Sequence, residues 1–347
     1  MPRVLGLDPG TVSLDCCGIN DGRVYLEWTL PTAEALANPE QLLERLVEAG
    51  QPDLIAGPSG YGLPLIHGSD LTEHQIRLAL LPDRRSPAGL GGLSGLMRLL
   101  AGSGLPVVFT PGVVHLPTVP EYRKLNRIDL GTADKVAAAA LGIADQAVRR
   151  GCAPDQTSFV LLELGGAFSS VLAISDGQVV DGIGGTAGPM GWRSGGGWDG
   201  EVACLFEHVG KADLFRGGVE SVMAAGLPRP AAYRAYIESA EKAVRQMLVN
   251  VPQPHEILVT GRHALDSEFA AGLGEKLSRL APVRQLAGFA GTAKAGAQGA
   301  AVLADGLAGG TYRGVTDALG LRDCRGTVLD HLLGLEPSVA LKWLEAR

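Results

Sequence analysis

The chain has 347 residues, of which 46% are hydrophobic, a formal charge of −7 and five cysteines. That length points to roughly two domains with ample burial, and the hydrophobic content excludes a disordered chain. The negative balance excludes a general nucleic-acid binder and an anionic membrane surface as partner, and cysteines without paired spacing exclude a disulfide framework or a structural zinc site.

In chain order, an apolar run reaches Asp8, turns through Pro9-Gly10-Thr11 and returns as a second apolar run, which predicts a β-hairpin over 4–20. Its turn gathers one carboxylate (Asp8), two glycines (Gly6, Gly10) and two hydroxyls (Thr11, Ser13). Such a turn can offer backbone N–H groups and hydroxyls to a phosphate while Asp8 orients the waters of Mg²⁺, although Asp-Pro-Gly is also ordinary turn chemistry. Residues 23–31 suggest a third strand, and leucines at helical spacing over 40–49 predict a helix stopped by Gly50. A short buried strand at 53–56 opens into a Gly- and Pro-rich loop, 58–70, which reads equally as connector or pocket wall. An irregular stretch at 82–96, a helix near 94–102 and a strand at 106–109 follow.

Arg123, Lys124 and Arg127, followed by Asp129 and Asp134, precede a helix rich in small residues over 132–148. Beside a cleft, these cations would suit a carboxylate or phosphate; a solvated charged loop is the alternative. Residues 158–185 then repeat the opening theme, with Glu163-Leu-Gly165-Gly166 echoing Asp8-Pro-Gly-Thr. Gly182-x-Gly184-x-x-Ala187 formally matches a dinucleotide fingerprint, but Pro189 and a run of glycines stand where that motif needs a helix, so a Rossmann site is rejected. Helices are expected near 199–209 and over 229–250, strands at 257–260 and 283–289, and a turn at Gly261-Arg262-His263. A second small-residue helix over 291–309 and closing helices complete the chain.

Two halves that open on an acidic-plus-glycine hairpin and close on a small-residue helix resemble the actin, hexokinase and heat-shock-chaperone ATPase superfamily. The order of a first phosphate loop (8–13), first connecting helix (131–145), second phosphate loop (163–168), adenosine-side turn (260–263) and second connecting helix (291–304) carries the likeness. It implies an α/β fold of two ribonuclease-H-like domains, 1–148 completed by 311–347 and 149–310, with ATP and Mg²⁺ in the cleft between them. Within that superfamily, the glycine-rich residues 180–195, ending in Arg193-Ser-Gly, are similar to acetate and butyrate kinases and to a butyrate-kinase-like group of archaeal and bacterial proteins. By that resemblance Arg193 stabilises the transferring phosphoryl group, and a guanidinium fork suits the charge on its equatorial oxygens. Asp8 and Glu163 would orient Mg²⁺ through water, Gly10, Thr11, Ser13, Gly165 and Gly166 would hold phosphates, and Gly261 and Arg262 would face adenosine.

Departures from the pattern shape the expected acceptor. Thr110, in Pro106-Val-Val-Phe-Thr-Pro, stands where the related kinases carry an aspartate, and His115 falls near their histidine. A missing base disables a kinase of alcohols but matters little for a carboxylate, already ionised at neutral pH. The expectation is therefore an ATP-dependent kinase of a small acidic metabolite, with Arg123, Arg127, Asp134, Thr110 and His115 on the acceptor side. A nucleotide-binding sensor or assembly ATPase, and a kinase of a hydroxyl with Asp129 or Asp134 as base, are the alternatives. No nucleic-acid or membrane partner is expected, and a homodimer is left open. The N-terminus lacks a charged-then-apolar leader pattern, and no run of about eighteen apolar residues occurs, so a cytoplasmic setting is expected.

Overall fold

A computed structural model describes residues 1–82 and 91–345. Of the irregular stretch expected at 82–96, residues 83–90 lie outside the described residues, whereas 91–96 belong to a helix, Gly91–Gly102. The opening hairpin forms from β1 (Arg3–Pro9) and β2 (Ser13–Asn20), paired antiparallel, and β2 pairs in turn with β3 (Arg23–Pro31). Parallel β4 (Leu54–Gly57), short β5 (Ile66–His67) and β6 (Val107–Phe109) complete a sheet ordered β3-β2-β1-β4-β6-β5. The four consecutive buried residues of β1 fit a central strand covered on both faces.

The second half repeats this plan. Strands β7 (Phe159–Leu164), β8 (Ser169–Ser175), β9 (Gln178–Ile183), β10 (Glu256–Thr260) and β11 (Val283–Gln285) are ordered β11-β10-β7-β8-β9. In both sheets the first strand pairs antiparallel with the second and parallel with the fourth. The repeat extends to local detail: Asp21-Gly22 and Asp176-Gly177, equally far beyond Asp8 and Glu163, both take positive φ, the conformation that a two-residue hairpin turn of this twist demands. A register shift follows the same course, at Gly18/Ile19 in β2 and Ala173/Ile174 in β8. This is the two-sheet α/β fold expected from the sequence.

Each half's small-residue helix packs on the other half's sheet. The helix Ala133–Arg150 meets β7 and β10 through Gly142, where a Cβ would stand 2.7 Å from the Phe159 ring. Conversely, the helix Ala295–Leu307 lies on β1, β2 and β4, and a Cβ on Gly6 would fall 2.1 Å from the Ala301 nitrogen. The two helices also cross each other, with Gly299 against the Ala137 carbonyl. Alternation on β7 separates two cores. Phe159 and Leu161 face the crossing helices, while Val160, Leu162 and Leu164 face Tyr236, Phe269 and their helices (Arg229–Met247 and Ser267–Leu277). Beyond the second crossing helix the chain returns to the first sheet's surroundings: Asn126 donates to the His331 carbonyl (2.8 Å), and Arg77 Nη1 to that of Leu344 (3.0 Å).

A Cβ at residue 299 would lie 1.8 Å from the Ala137 carbonyl oxygen, so even alanine must push the crossing helices apart. Gly299→Ala is expected to lower the unfolding free energy by about 1–3 kcal/mol, read as a lower urea midpoint with an unchanged slope, whereas an unaltered midpoint would contradict this packing.

Candidate active site in the interdomain cleft

β1 and β7 are equivalent strands, and their C-terminal ends bring Asp8 and Glu163 within electrostatic reach of each other. Their turns face each other: the space beside Gly166 is bounded by Val12 Cγ2, 3.9 Å from where a Cβ would stand. The second crossing helix approaches Asp8 closely at Gly296, where a Cβ would lie 2.4 Å from Asp8 Oδ2. Only glycine lets the carboxylate reach this position.

Asp134 and Lys135, in the first turn of the first crossing helix, complete the cluster. Lys135 Nζ donates to Asp134 Oδ2 and to Glu163 Oε1, each at 2.6 Å, and its side chain is only 16% exposed. The Thr132 hydroxyl donates to the other oxygen of Asp134. Burial, reinforced by the Asp134 charge and opposed by Lys135 and Lys294, pushes the Asp8 carboxyl up to about 7. Burial also lifts Glu163, even with Lys135 beside it. For Asp134 burial acts in the same sense, but Lys135 and the Thr132 hydroxyl outweigh it and hold that carboxyl below its ordinary range. Burial alone would lower Lys135; Asp134 and Glu163 raise it instead, so the ammonium stays charged.

A second cation, Lys294, stands just before the other crossing helix. Its Nζ lies 3.0 Å from Asp15 Oδ2 and donates to the Ser13 carbonyl at 3.1 Å. Asp15 is 1% exposed and takes hydroxyl bonds from Ser13 (2.9 Å) and Thr29 (2.8 Å), as a buried carboxylate must. The Ser13 hydroxyl is thus turned inward, while Thr11 is exposed at the tip of the turn and Gly10 carries the Thr32 hydroxyl on its carbonyl (2.7 Å). Glu27 fixes the approach to Lys294 by accepting N–H bonds from Gly291, Thr292 and Ala293 at 2.8–3.2 Å.

The loop carrying Arg193 is tied to the second turn, because the Arg193 and Ser194 nitrogens both donate to the Ala167 carbonyl (3.0 and 3.1 Å). The guanidinium itself, 43% exposed, rests 3.9 Å from Glu220 Oε2 and 5.3 Å from the centre of the Phe215 ring. On the adenosine side, Gly261 takes φ of +98° and packs against the Leu164 backbone, and Arg262 is exposed.

Other sequence-selected residues lie in different company. Thr110 is buried at the end of β6, and its carbonyl accepts from Ser59 Oγ (2.5 Å). His115 is buried beside Lys124 and the returning chain, whose Arg325 nitrogen donates to its carbonyl; burial drives its pKa down to about 4. Arg123 Nη1 holds the Val180 carbonyl of β9 at 2.6 Å, and Arg127 adds its charge near Asp181 on the same strand. Asp129, 5% exposed, has its oxygens taken by Gly131 N, Thr186 N and Thr186 Oγ1 at 3.0–3.2 Å. Lys135, Lys294 and Asp15 were not selected from the sequence. A signal for the lysines exists, since the chain enters both crossing helices through Gly-Thr-Ala followed closely by lysine (131–135 and 291–294).

Among the described residues no group of three His, Cys, Asp or Glu side chains forms a direct metal cage. The donors fit Mg²⁺ of another kind: hard carboxylate oxygens at a half-open cleft, suited to an ion that keeps its waters and binds one or two carboxylates plus phosphates. Facing glycine turns with two lysines fit those phosphates. Among the described residues no helix is long and apolar enough to cross a membrane.

The family model described as "Protein of unknown function (DUF1464)" matches residues 6–333. No curated protein matches the sequence. Among solved structures, the chain is similar to a propionate kinase from Francisella tularensis subsp. tularensis SCHU S4, at TM-score 0.57 and 14% identity over 87% of this chain and 98% of that one. It is similar also to acetate kinases from Porphyromonas gingivalis (TM-score 0.54, 17% identity, 81% and 88% covered) and Entamoeba histolytica (TM-score 0.54, 13% identity, 80% and 87% covered). At such identities the shared feature is the fold.

The Asp8 pKa rises from 3.8 unfolded to about 7 folded, so its proton stabilises the fold at low pH, and that contribution fades as pH rises through 7. Between pH 5 and 8 the metal-free wild type is expected to lose on the order of 1 kcal/mol more than Asp8→Asn, allowing for solvent at the cleft. Urea unfolding at both pH values checks this; equal losses would contradict it.

Proposed function

This chain belongs to the family described as Protein of unknown function (DUF1464), and we propose that it is an ATP-dependent phosphotransferase acting on a small acidic acceptor, a carboxylate foremost. The observation that carries this is the convergence of Asp8 and Glu163, from the ends of equivalent strands, on opposed glycine turns with Lys135 between Glu163 and Asp134. That the solved structures of similar fold include acetate and propionate kinases agrees with it.

Asp8 and Glu163 would hold Mg²⁺ through water, and the ion would neutralise charge on the transferring group. The turns would offer the Thr11 and Gly166 N–H groups to the phosphates of ATP, since the Gly10 nitrogen donates to the Asp8 and Ser13 carbonyls and the Gly165 nitrogen to that of Phe168; Gly261, packed on the Leu164 backbone, would set the Arg262 turn at the adenosine side. Arg193, held by an exposed ion pair with Glu220 and by the Phe215 ring, can leave them at small cost and reach the phosphoryl group. The state of the carboxylates near the cluster supports an acidic acceptor. Asp129 is hydrogen-bonded on both oxygens, Asp134 is held by Lys135 and Thr132, and Thr110 offers no carboxylate, so none of these three positions supplies a ready base for an alcohol. An ionised carboxylate oxygen needs no such base. Thr110 also favours a second reading, a nucleotide-binding sensor that closes on ATP without an acceptor.

A screen of carboxylic acids and sugars for stimulated ADP release from Mg·ATP is expected to select acids. Arg193→Ala should reduce the acid-stimulated rate by about 10²-fold or more while the protein remains folded. Stimulation by sugars alone, or an undiminished rate in the variant, would contradict the proposal; nucleotide binding with no stimulation by any acceptor would favour the sensor.

A further inference from the structure

The cluster contains three carboxylates and two ammonium groups, and the two cations differ in their commitments. Lys294 is bound directly to Asp15 and the Ser13 carbonyl, and acts on Asp8 and Glu163 only through space. Lys135 pairs directly with two of the carboxylates, at 2.6 Å from both Asp134 and Glu163, and is little exposed and therefore weakly screened. Glu163 and Asp134 cannot give their oxygens fully to that ammonium and to a hydrated divalent cation at once.

We infer that Lys135 is a built-in counter-ion that competes with Mg²⁺ for Glu163 and Asp134, so that metal enters with nucleotide, whose phosphates take over the ammonium. This rests on the nucleotide assignment above and adds an order of binding to it. Without nucleotide, the ammonium already neutralises the carboxylates, and a free divalent cation gains little by displacing it. With nucleotide, the polyphosphate supplies new anionic partners for a lysine on a flexible four-carbon arm, and Glu163 is released to orient metal-bound water. Lys135 is on this account a positioning residue. A purely structural ion pair would instead show loss of stability on removal and no change in metal affinity.

The test is Mn²⁺ binding to the full, nucleotide-free chain, followed by electron paramagnetic resonance, for the wild type, Lys135→Gln and Lys135→Arg. The glutamine variant is expected to bind Mn²⁺ at least tenfold more tightly than the wild type, and its thermal midpoint to rise further on adding Mn²⁺. The arginine variant retains the charge and the fold, and should bind Mn²⁺ no more tightly than the wild type. ADP should strengthen Mn²⁺ binding strongly in the wild type and little in Lys135→Gln. Equal or weaker Mn²⁺ binding by Lys135→Gln, or tighter binding by Lys135→Arg, overturns the inference while normal Mn·ADP binding by the wild type leaves the nucleotide assignment standing. Failure of the wild type to bind Mn·ADP overturns both.

Discussion

Three carboxylates are forced together in the cleft, and the ammonium of Lys135 is what makes that tolerable. Asp8 arrives from the end of β1, Glu163 from the end of β7 and Asp134 from the start of a helix, and none could approach the others closely without a neighbouring cation or a bound proton. The upward displacement of Asp8 records its burial first, and then the repulsion from Asp134 that Lys135 and Lys294 only partly offset. A site that is short of positive charge when empty suits a cation that arrives with its ligand.

The fold creates this convergence by repetition. Two sheets of the same strand order end their first strands at the cleft, and their Asp-Gly turns and register shifts recur at matching places. The crossing helices are exchanged between the halves and touch at glycine, with Gly299 against Ala137, Gly6 against Ala301 and Gly296 against Asp8. Side chains there would separate exactly the elements that carry Asp8, Asp134 and Lys294. Small residues in the helices and charge in the cleft are thus two aspects of one arrangement: close backbone approach is what brings the charges within reach.

Much of this was legible from local pattern. An apolar run ending in an acidic residue and glycine reveals both hairpins, and their echo at Asp8 and Glu163 reveals the repeat. Alanine-rich stretches reveal the helices, but a helix that is small on every side does not declare which sheet it covers, so the exchange between halves emerges only from packing. Lys135 was hidden because a lysine beside an aspartate at a helix start looks like ordinary surface charge; its partner Glu163 is distant in sequence. Ser13 has the residue type of a phosphate ligand, yet buried Asp15 claims its hydroxyl. Arg123 and His115 likewise take partners, the Val180 carbonyl and the returning chain near Arg325, that no local spacing announces.

If the two hairpins act jointly on one Mg·nucleotide, a double-mutant cycle across them reads their coupling. Mg·ADP affinity would be measured calorimetrically for the wild type, Asp8→Asn, Glu163→Gln and the double variant. Each single change should weaken binding, and the pair should be non-additive by more than about 0.5 kcal/mol, as for groups sharing one ligand. Additivity within about 0.3 kcal/mol, or full affinity in either single variant, would contradict it.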